Sequence, residues 1–174
     1  MMRILLCSIL IICFTFSIAL AKKGGKRMLS LSSPAFQDQQ LIPANYTYQE
    51  KGPNPPLKIS DIPPRTKSLA LIMDDPDAPM GTFVHWVVFN LPITTKIIEE
   101  GKLPKGAEVG QNSIRQNSYI CPQPPPGKVH HYNFKLYALD VQLALAASTT
   151  KDKLEKAMRG HIIDQATLTG LCKR

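Results

Sequence analysis

"KSLALIMDDPDAPMGTFVHWVVFN", residues Lys67 to Asn90, decides how this chain folds. Lys67 to Asp75 is an almost unbroken apolar run that ends in acid. At this length, and closed by turn residues, it is expected to be a strand buried on both faces. Thr82 to Asn90, rich in β-branched and aromatic residues, is expected to be a second strand. A period of two puts Val84, Trp86 and Val88 on one face and Phe83, His85, Val87 and Phe89 on the other. Between the runs, Asp74, Asp75 and Asp77 crowd Pro76 and Pro79. Pro76 has no N–H for a ladder, so pairing stops and the chain turns. Asp75 and His85 are thereby expected at the same end of adjacent strands. A carboxylate facing an imidazole favours the charged form of each. A histidine so placed can also donate a hydrogen bond to an anion. The plainer alternative is a buried Asp–His pair that satisfies only itself.

Outward from this stretch, "HHYNFKLYALD" (His130 to Asp140) alternates openly. His130, Tyr132, Phe134, Leu136 and Ala138 share one face, and His131, Asn133 and Lys135 point away. Before it, "SYICPQPPPGKVHHY" (Ser118 to Tyr132) holds four prolines between Pro122 and Pro126. Such a segment is stiff, extended and poor in N–H groups. It reads either as one wall of a pocket or as a plain connector. Upstream, "GPNPPL" (Gly52 to Leu57) and "DIPP" (Asp61 to Pro64) are turns. Tyr46 to Gln49 is a candidate short strand between turns. Thr149 with Asp152 resembles a capping box. Leu154, Ala157, Met158, His161 and Ile162 then share a helix face. Ala166 to Cys172 is a candidate last strand. The pattern predicts a mainly β, sandwich-like domain with a small helical part.

The start of the chain has another character. Arg3 precedes an uncharged apolar run, Ile4 to Leu20, and Ala19-Leu20-Ala21 has small-x-small form. Residues 1–21 read as a secretory signal peptide cleaved near Ala21. The rival is an uncleaved anchor, but the run falls short of the roughly 20 residues a spanning helix needs. Residues 22–28 form a basic arm, and 29–174 a single domain. Five of the 21 basic residues precede Met28, so the formal +8 overstates the charge of the domain. No basic stripe alternates with aromatics, which argues against nucleic acid. An exported chain enters an oxidising compartment, so Cys121 and Cys172 are candidates for one disulfide. The expected location is secreted or periplasmic, with no membrane span once the signal is removed.

"KSLALIMDDPDAPMGTFVHWVVFNLP", "PPPGKVHHYNFKLYALD" and "LEKAMRGHIIDQATLTG" together resemble the phosphatidylethanolamine-binding protein family, also called the Raf kinase inhibitor protein family. "LSSPAF" and "IPANYTY" extend the likeness from about Leu31 to Gly170, closest to the bacterial and archaeal branch. The resemblance implies a large antiparallel sheet packed on a smaller one, with one or two peripheral helices. It also implies a shallow pocket for phosphate or a phosphorylated small molecule or lipid head group. By position, Asp75, Pro76, Asp77, Ala78 and Pro79 would build one wall. His85 would be the inward histidine, and His130 and Tyr132 would face it above Pro124 and Pro125. Pro79 would be a cis proline. Cys121 stands in that loop where the bacterial pattern has glycine, which admits close backbone approach to an anion.

Three functions follow as expectations. The first is a ligand-binding protein without catalysis or cofactor. The second, raised by the resemblance, is an inhibitor or modulator of a kinase or protease, docking through the rim around Met80 and Gly81. The third is a hydrolase using Asp75, His85 and His130 as a metal triad or as acid and base. The chain has no HExxH motif, G-x-S-x-G elbow or phosphate loop to support the third.

Overall fold

A computed structural model describes residues 28–174. The signal peptide assigned to 1–21, and the arm up to Arg27, lie outside the described residues. In chain order the strands are β1 (Ser30–Ser32), β2 (Gln40–Leu41), β3 (Leu57–Ser60), β4 (Ser68–Asp75), β5 (Phe83–Leu91), β6 (Ile97–Ile98), β7 (Glu108–Val109), β8 (Val129–Leu139) and β9 (Ile162–Lys173). Among the described residues one α-helix, α1 (Lys151–Met158), precedes β9.

A six-stranded sheet runs β2-β9-β8-β4-β5-β7, and a three-stranded sheet runs β1-β3-β6. Every pairing is antiparallel except β2 with β9, a two-residue parallel edge. This is the expected large sheet packed on a small one. β4 lies between β5 and β8, so the strand with the longest apolar run takes an inner place. Leu69, Leu71 and Met73 point into the core shared with the small sheet, among Leu31, Leu57, Ile59 and Ile98. Ala70 and Ile72 point to the other face, against Leu143, Leu154 and Met158 around α1. Both faces of β4 are therefore dry, which is why its sequence shows no alternation. β8 alternates as read: Tyr132, Phe134, Leu136 and Ala138 are buried in the inter-sheet core.

β5 departs from simple alternation. Its register steps from Met73↔Trp86 to Asp74↔Val84, leaving His85 as an extra residue, a bulge. Trp86 and Val88 pack in the inter-sheet core, whereas Val87 and Phe89 pack on the helix side. Val84 also packs on the helix side. His85 lies against Tyr132, on the inter-sheet side. The expected partition, with His85 beside Val87 and Val84 beside Trp86, is thus reversed for His85 and Val84. A bulge moves a side chain to the other face at the cost of one ladder position.

Three local readings are also corrected. Ala44–Tyr46 is a 3-10 turn rather than the start of a strand. Pro43 and Ala44 carbonyls accept from Tyr46 and Thr47 N–H groups there, which turns the chain before an extended run can begin. The N-cap of α1 is Thr150, with no side-chain cap bond, because the Thr149 carbonyl accepts from Gln111 and holds Thr149 in the preceding loop. The helix stops at Met158. His161 bonds to Asp140, and Ile162 already pairs with Leu139, so neither joins the helix face. No described peptide bond is cis, Pro79 included.

Leu71 is fully buried at the centre of the inter-sheet core. Leu71→Ala is expected to lower unfolding free energy by about 2–5 kcal/mol, the range for a buried leucine that leaves a cavity. Ile93→Ala, at a half-exposed loop position, is expected to change it by under about 0.5 kcal/mol. Urea unfolding of both variants checks this, and equal losses would contradict the assigned core.

Candidate functional site

β4 ends in two neighbouring carboxylates that point to opposite faces. Asp74 turns to the helix side, where its Oδ2 accepts from Lys135 Nζ at 2.8 Å and Lys151 Nζ at 2.6 Å. Asp75 turns to the inter-sheet side and is 3% exposed. Its Oδ2 accepts from His130 Nδ1 at 2.8 Å, and its Oδ1 accepts from the Asp77 N–H at 2.8 Å. The first bond ties β4 to β8, and the second closes the acidic turn on itself.

The proline-rich loop is fastened from several directions. The Ile120 N–H donates to the His85 carbonyl at 3.1 Å, and His85 Nδ1 donates back to the Ile120 carbonyl at 2.9 Å. The Pro122 carbonyl accepts from the Tyr48 N–H at 2.9 Å. Gly127, at φ +102°, then swings the chain into β8. The left-handed region is open to glycine at little cost, so the loop can end one residue before the strand approach. On the opposite side of the mouth, Gly81 at φ +95° turns the acidic loop into β5.

These pieces enclose a cavity of about 280 Å³. Asp75, Ala78, Pro79, His85, Cys121, Pro125, His130 and Tyr132 line it, all singled out in the sequence. Phe83, Ile120 and Gln123 complete the lining. Pro76, Asp77 and Pro124 are not among its walls. Asp77 turns outward instead. Its Oδ2 accepts from the His131 N–H at 2.8 Å and from His131 Nδ1 at 2.7 Å. The His131 ring holds the Asp77 carboxyl below its usual range, the His131 N–H adding to it. A residue read as pointing away from the pocket thus braces its outer wall. A larger hollow, about 750 Å³, is walled by the Asp61–Thr66 turn, Ile93 and Lys96. It lies at the other end of β4 and β5 and holds none of the histidines.

Asp75 and His85 do share the cavity, but the expected contact between them is replaced. Phe83, not His85, stands opposite Asp75 in the register, and the carboxylate is taken by His130 from the strand on its other side. His85 is 3% exposed, with its ring centroid 4.9 Å from Phe83 and 5.1 Å, edge-on, from Tyr132. Its Nε2 is buried and has no hydrogen-bond partner. Burial pushes the His85 pKa down, opposed by the bond to the Ile120 carbonyl and by the Asp75 charge. The Tyr132 hydroxyl is likewise buried with no hydrogen bond of normal length, although Asp75 and the Gln123 backbone stand near it. Burial, and then the nearby Asp75 charge, raise its pKa, so it remains a neutral donor. No lysine or arginine lines the cavity.

Cys121 and Cys172 are both free thiols, not the disulfide considered from the sequence. Cys172 is buried on β9 opposite His130 in the β8–β9 register, while Cys121 belongs to the fastened loop. Burial raises both thiols, Cys172 to about 11. Nor do Asp75, His85 and His130 assemble as a triad: among the described residues no group of three or more His, Cys, Asp or Glu is arranged to hold a metal ion. His130 Nδ1 and one Asp75 oxygen are spent on each other, and His85 Nδ1 is spent on the Ile120 carbonyl.

Sequence reading missed Ile120 and Gln123. Ile120 acts through its backbone, which leaves no trace in residue type. Gln123 carried a signal that was available, as the single residue interrupting the proline run.

With fold and cavity defined, comparison with known proteins is direct. Residues 32–173 match the family described as phosphatidylethanolamine-binding protein. The UPF0098 protein PH1269 of Pyrococcus horikoshii is 45% identical over 161 residues, covering 87% of this chain and 80% of that protein. A phosphatidylethanolamine-binding protein homologue of Chlamydia trachomatis, CT736, superposes with a TM-score of 0.81 at 39% identity, covering 85% of this chain and 99% of that one. YbcL of E. coli, described as a member of the mammalian family, gives a TM-score of 0.77 at 27% identity, covering 84% of this chain and 98% of that one. The chain belongs to the phosphatidylethanolamine-binding protein family.

Proposed function

We propose that this chain is an exported, non-catalytic protein that binds phosphate or a phosphorylated head group in the cavity between the acidic turn and the proline-rich loop. One observation carries the reading. His130 and His85 reach the same small cavity, one backed by a buried carboxylate and the other left with a buried, unpartnered nitrogen. Buried polar atoms without partners are rare, and each calls for a partner from outside the protein or another physical reason; two of the four among the described residues, on His85 and Tyr132, belong to the lining of this cavity. The neutral Tyr132 hydroxyl adds a donor to the same space. The Cys121 thiol is raised by burial, the reverse of an activated nucleophile, which favours binding over turnover.

A second reading, docking to a kinase or protease, draws support from Met80. This side chain stands fully exposed on the acidic turn beside the cavity mouth. Export, read from residues 1–21, places either role in the periplasm or outside the cell.

Asp75 and the bare nitrogen of His85 disfavour a fully ionised anion, so binding is expected to be linked to proton uptake by the bound phosphate or by the site. Calorimetric titration with inorganic phosphate is expected to show affinity about 3- to 10-fold higher at pH 5.5 than at pH 7.5. Flat or rising affinity up to pH 8 would contradict the site. His85→Phe keeps a ring of similar size and removes both nitrogens. It is expected to weaken phosphate binding at least about tenfold, because the one ring nitrogen that His85 turns to the cavity is lost as a hydrogen-bond partner, while urea unfolding stays cooperative. For export, the mass of the protein recovered outside the cytoplasm is expected to begin at Lys22. An intact residue 1 on the recovered protein would contradict the cleaved signal.

A further inference from the structure

The arrangement of protons in the cavity restricts which phosphate compounds fit it, an argument that rests on the anion-binding reading above. The Ile120 carbonyl can only accept, so the proton of neutral His85 sits on Nδ1. Nε2 then presents a bare lone pair to the cavity, and no protein group donates to it. Asp75 likewise holds a proton on Nδ1 of His130. The charged and titratable groups around His85 are few. They are Asp75 from β4, His130 and Tyr132 from β8, Tyr119 and Cys121 from the loop, Cys172 behind them on β9, and Asp74 through the sheet. None is a fixed cation. The lysines that neutralise Asp74 do so on the far face of the sheet.

A fully ionised phosphate entering this space would meet a carboxylate and a lone pair, with one neutral hydroxyl to receive it. Phosphate that keeps one proton changes the balance. Its P–O–H supplies the donor that His85 Nε2 lacks, while its anionic oxygens accept from Tyr132. A diester has no such proton to offer.

We propose that the cavity selects small phosphate monoesters in their singly protonated form, the P–O–H donating to Nε2 of His85, and discriminates against phosphate diesters. The cavity volume of about 280 Å³ sits at the lower end of ligand pockets, room for a head group and little more.

Calorimetry of the protein with two monoester–diester pairs tests this. Methyl phosphate and dimethyl phosphate differ only in the ester count. O-phosphorylethanolamine and glycerophosphoethanolamine differ in ester count and by a glycerol, and both carry an ammonium group, so the methyl pair tests the proton and the second pair tests the proton together with size. At pH 6.5 each monoester is expected to bind at least about tenfold more tightly than its diester, the value of one buried hydrogen bond left unmade. The monoester second pKa is about 6, so the singly protonated fraction, and with it methyl phosphate affinity, should fall a further 20-fold or so relative to dimethyl phosphate by pH 8. Dimethyl phosphate has no proton to lose in this range, so its own slope reports the protein alone. Diester affinities within about threefold of the monoesters would overturn the selectivity while leaving anion binding intact. Absence of binding by all four compounds at millimolar concentration would overturn both.

Discussion

A strand that is dry on both faces cannot end in two carboxylates unless the fold supplies each with a partner. That constraint organises this molecule. β4 needs its burial, because Leu69, Leu71 and Met73 hold the two sheets together and Ala70 and Ile72 hold the helix side. Its last two residues are then acids at the edge of a low-dielectric interior, where an unpaired charge is costly. The two solutions differ. Asp74 is neutralised by two lysines, both on Oδ2, while its Oδ1 stays buried without a partner. Asp75 is met by an imidazole, which has a second nitrogen and a titratable proton. The same constraint, solved with lysine on one face and histidine on the other, leaves structure on one side and a site on the other.

The second requirement is a lid that keeps its shape without a ladder. The segment from Tyr119 to Pro126 has few N–H groups to offer, and its fastening uses the backbone at its ends. The reciprocal pair between Ile120 and His85 is the important one, because it also fixes the His85 tautomer. Loop placement and the hydrogen-bonding character of the cavity are thereby one feature, not two. A ring held through Nδ1 must face the cavity with Nε2, and what that nitrogen accepts or donates decides what enters.

Much of the fold was legible because hydrophobic pattern reports burial directly. Lys67 to Asp75 read correctly because an unbroken apolar run of strand length has few other homes, and β8 read correctly because alternation has one inner and one outer face. The helix was recognised but overextended, since His161 and Ile162 continue the helical period while strand pairing with β8 claims Ile162. The site was legible as a set of residues more than as a geometry. Asp75, His85, His130 and Tyr132 do share one cavity. Which histidine takes Asp75 depends on the order of strands in the sheet, and which way His85 points depends on a bulge. Both are properties of two strands together, and a single strand's sequence holds neither. Asp77 was misplaced for a related reason, because its outward turn depends on His131, 54 residues away.

The account depends on the protonation pattern at His85. Long-range proton–nitrogen NMR of the imidazoles, at neutral pH and without ligand, measures that pattern directly. The prediction is a His85 ring with the proton on Nδ1 and an unprotonated Nε2, whose signal moves when methyl phosphate is added. A free protein in which His85 carries its proton on Nε2, or an Nε2 signal indifferent to the ligand, would contradict it.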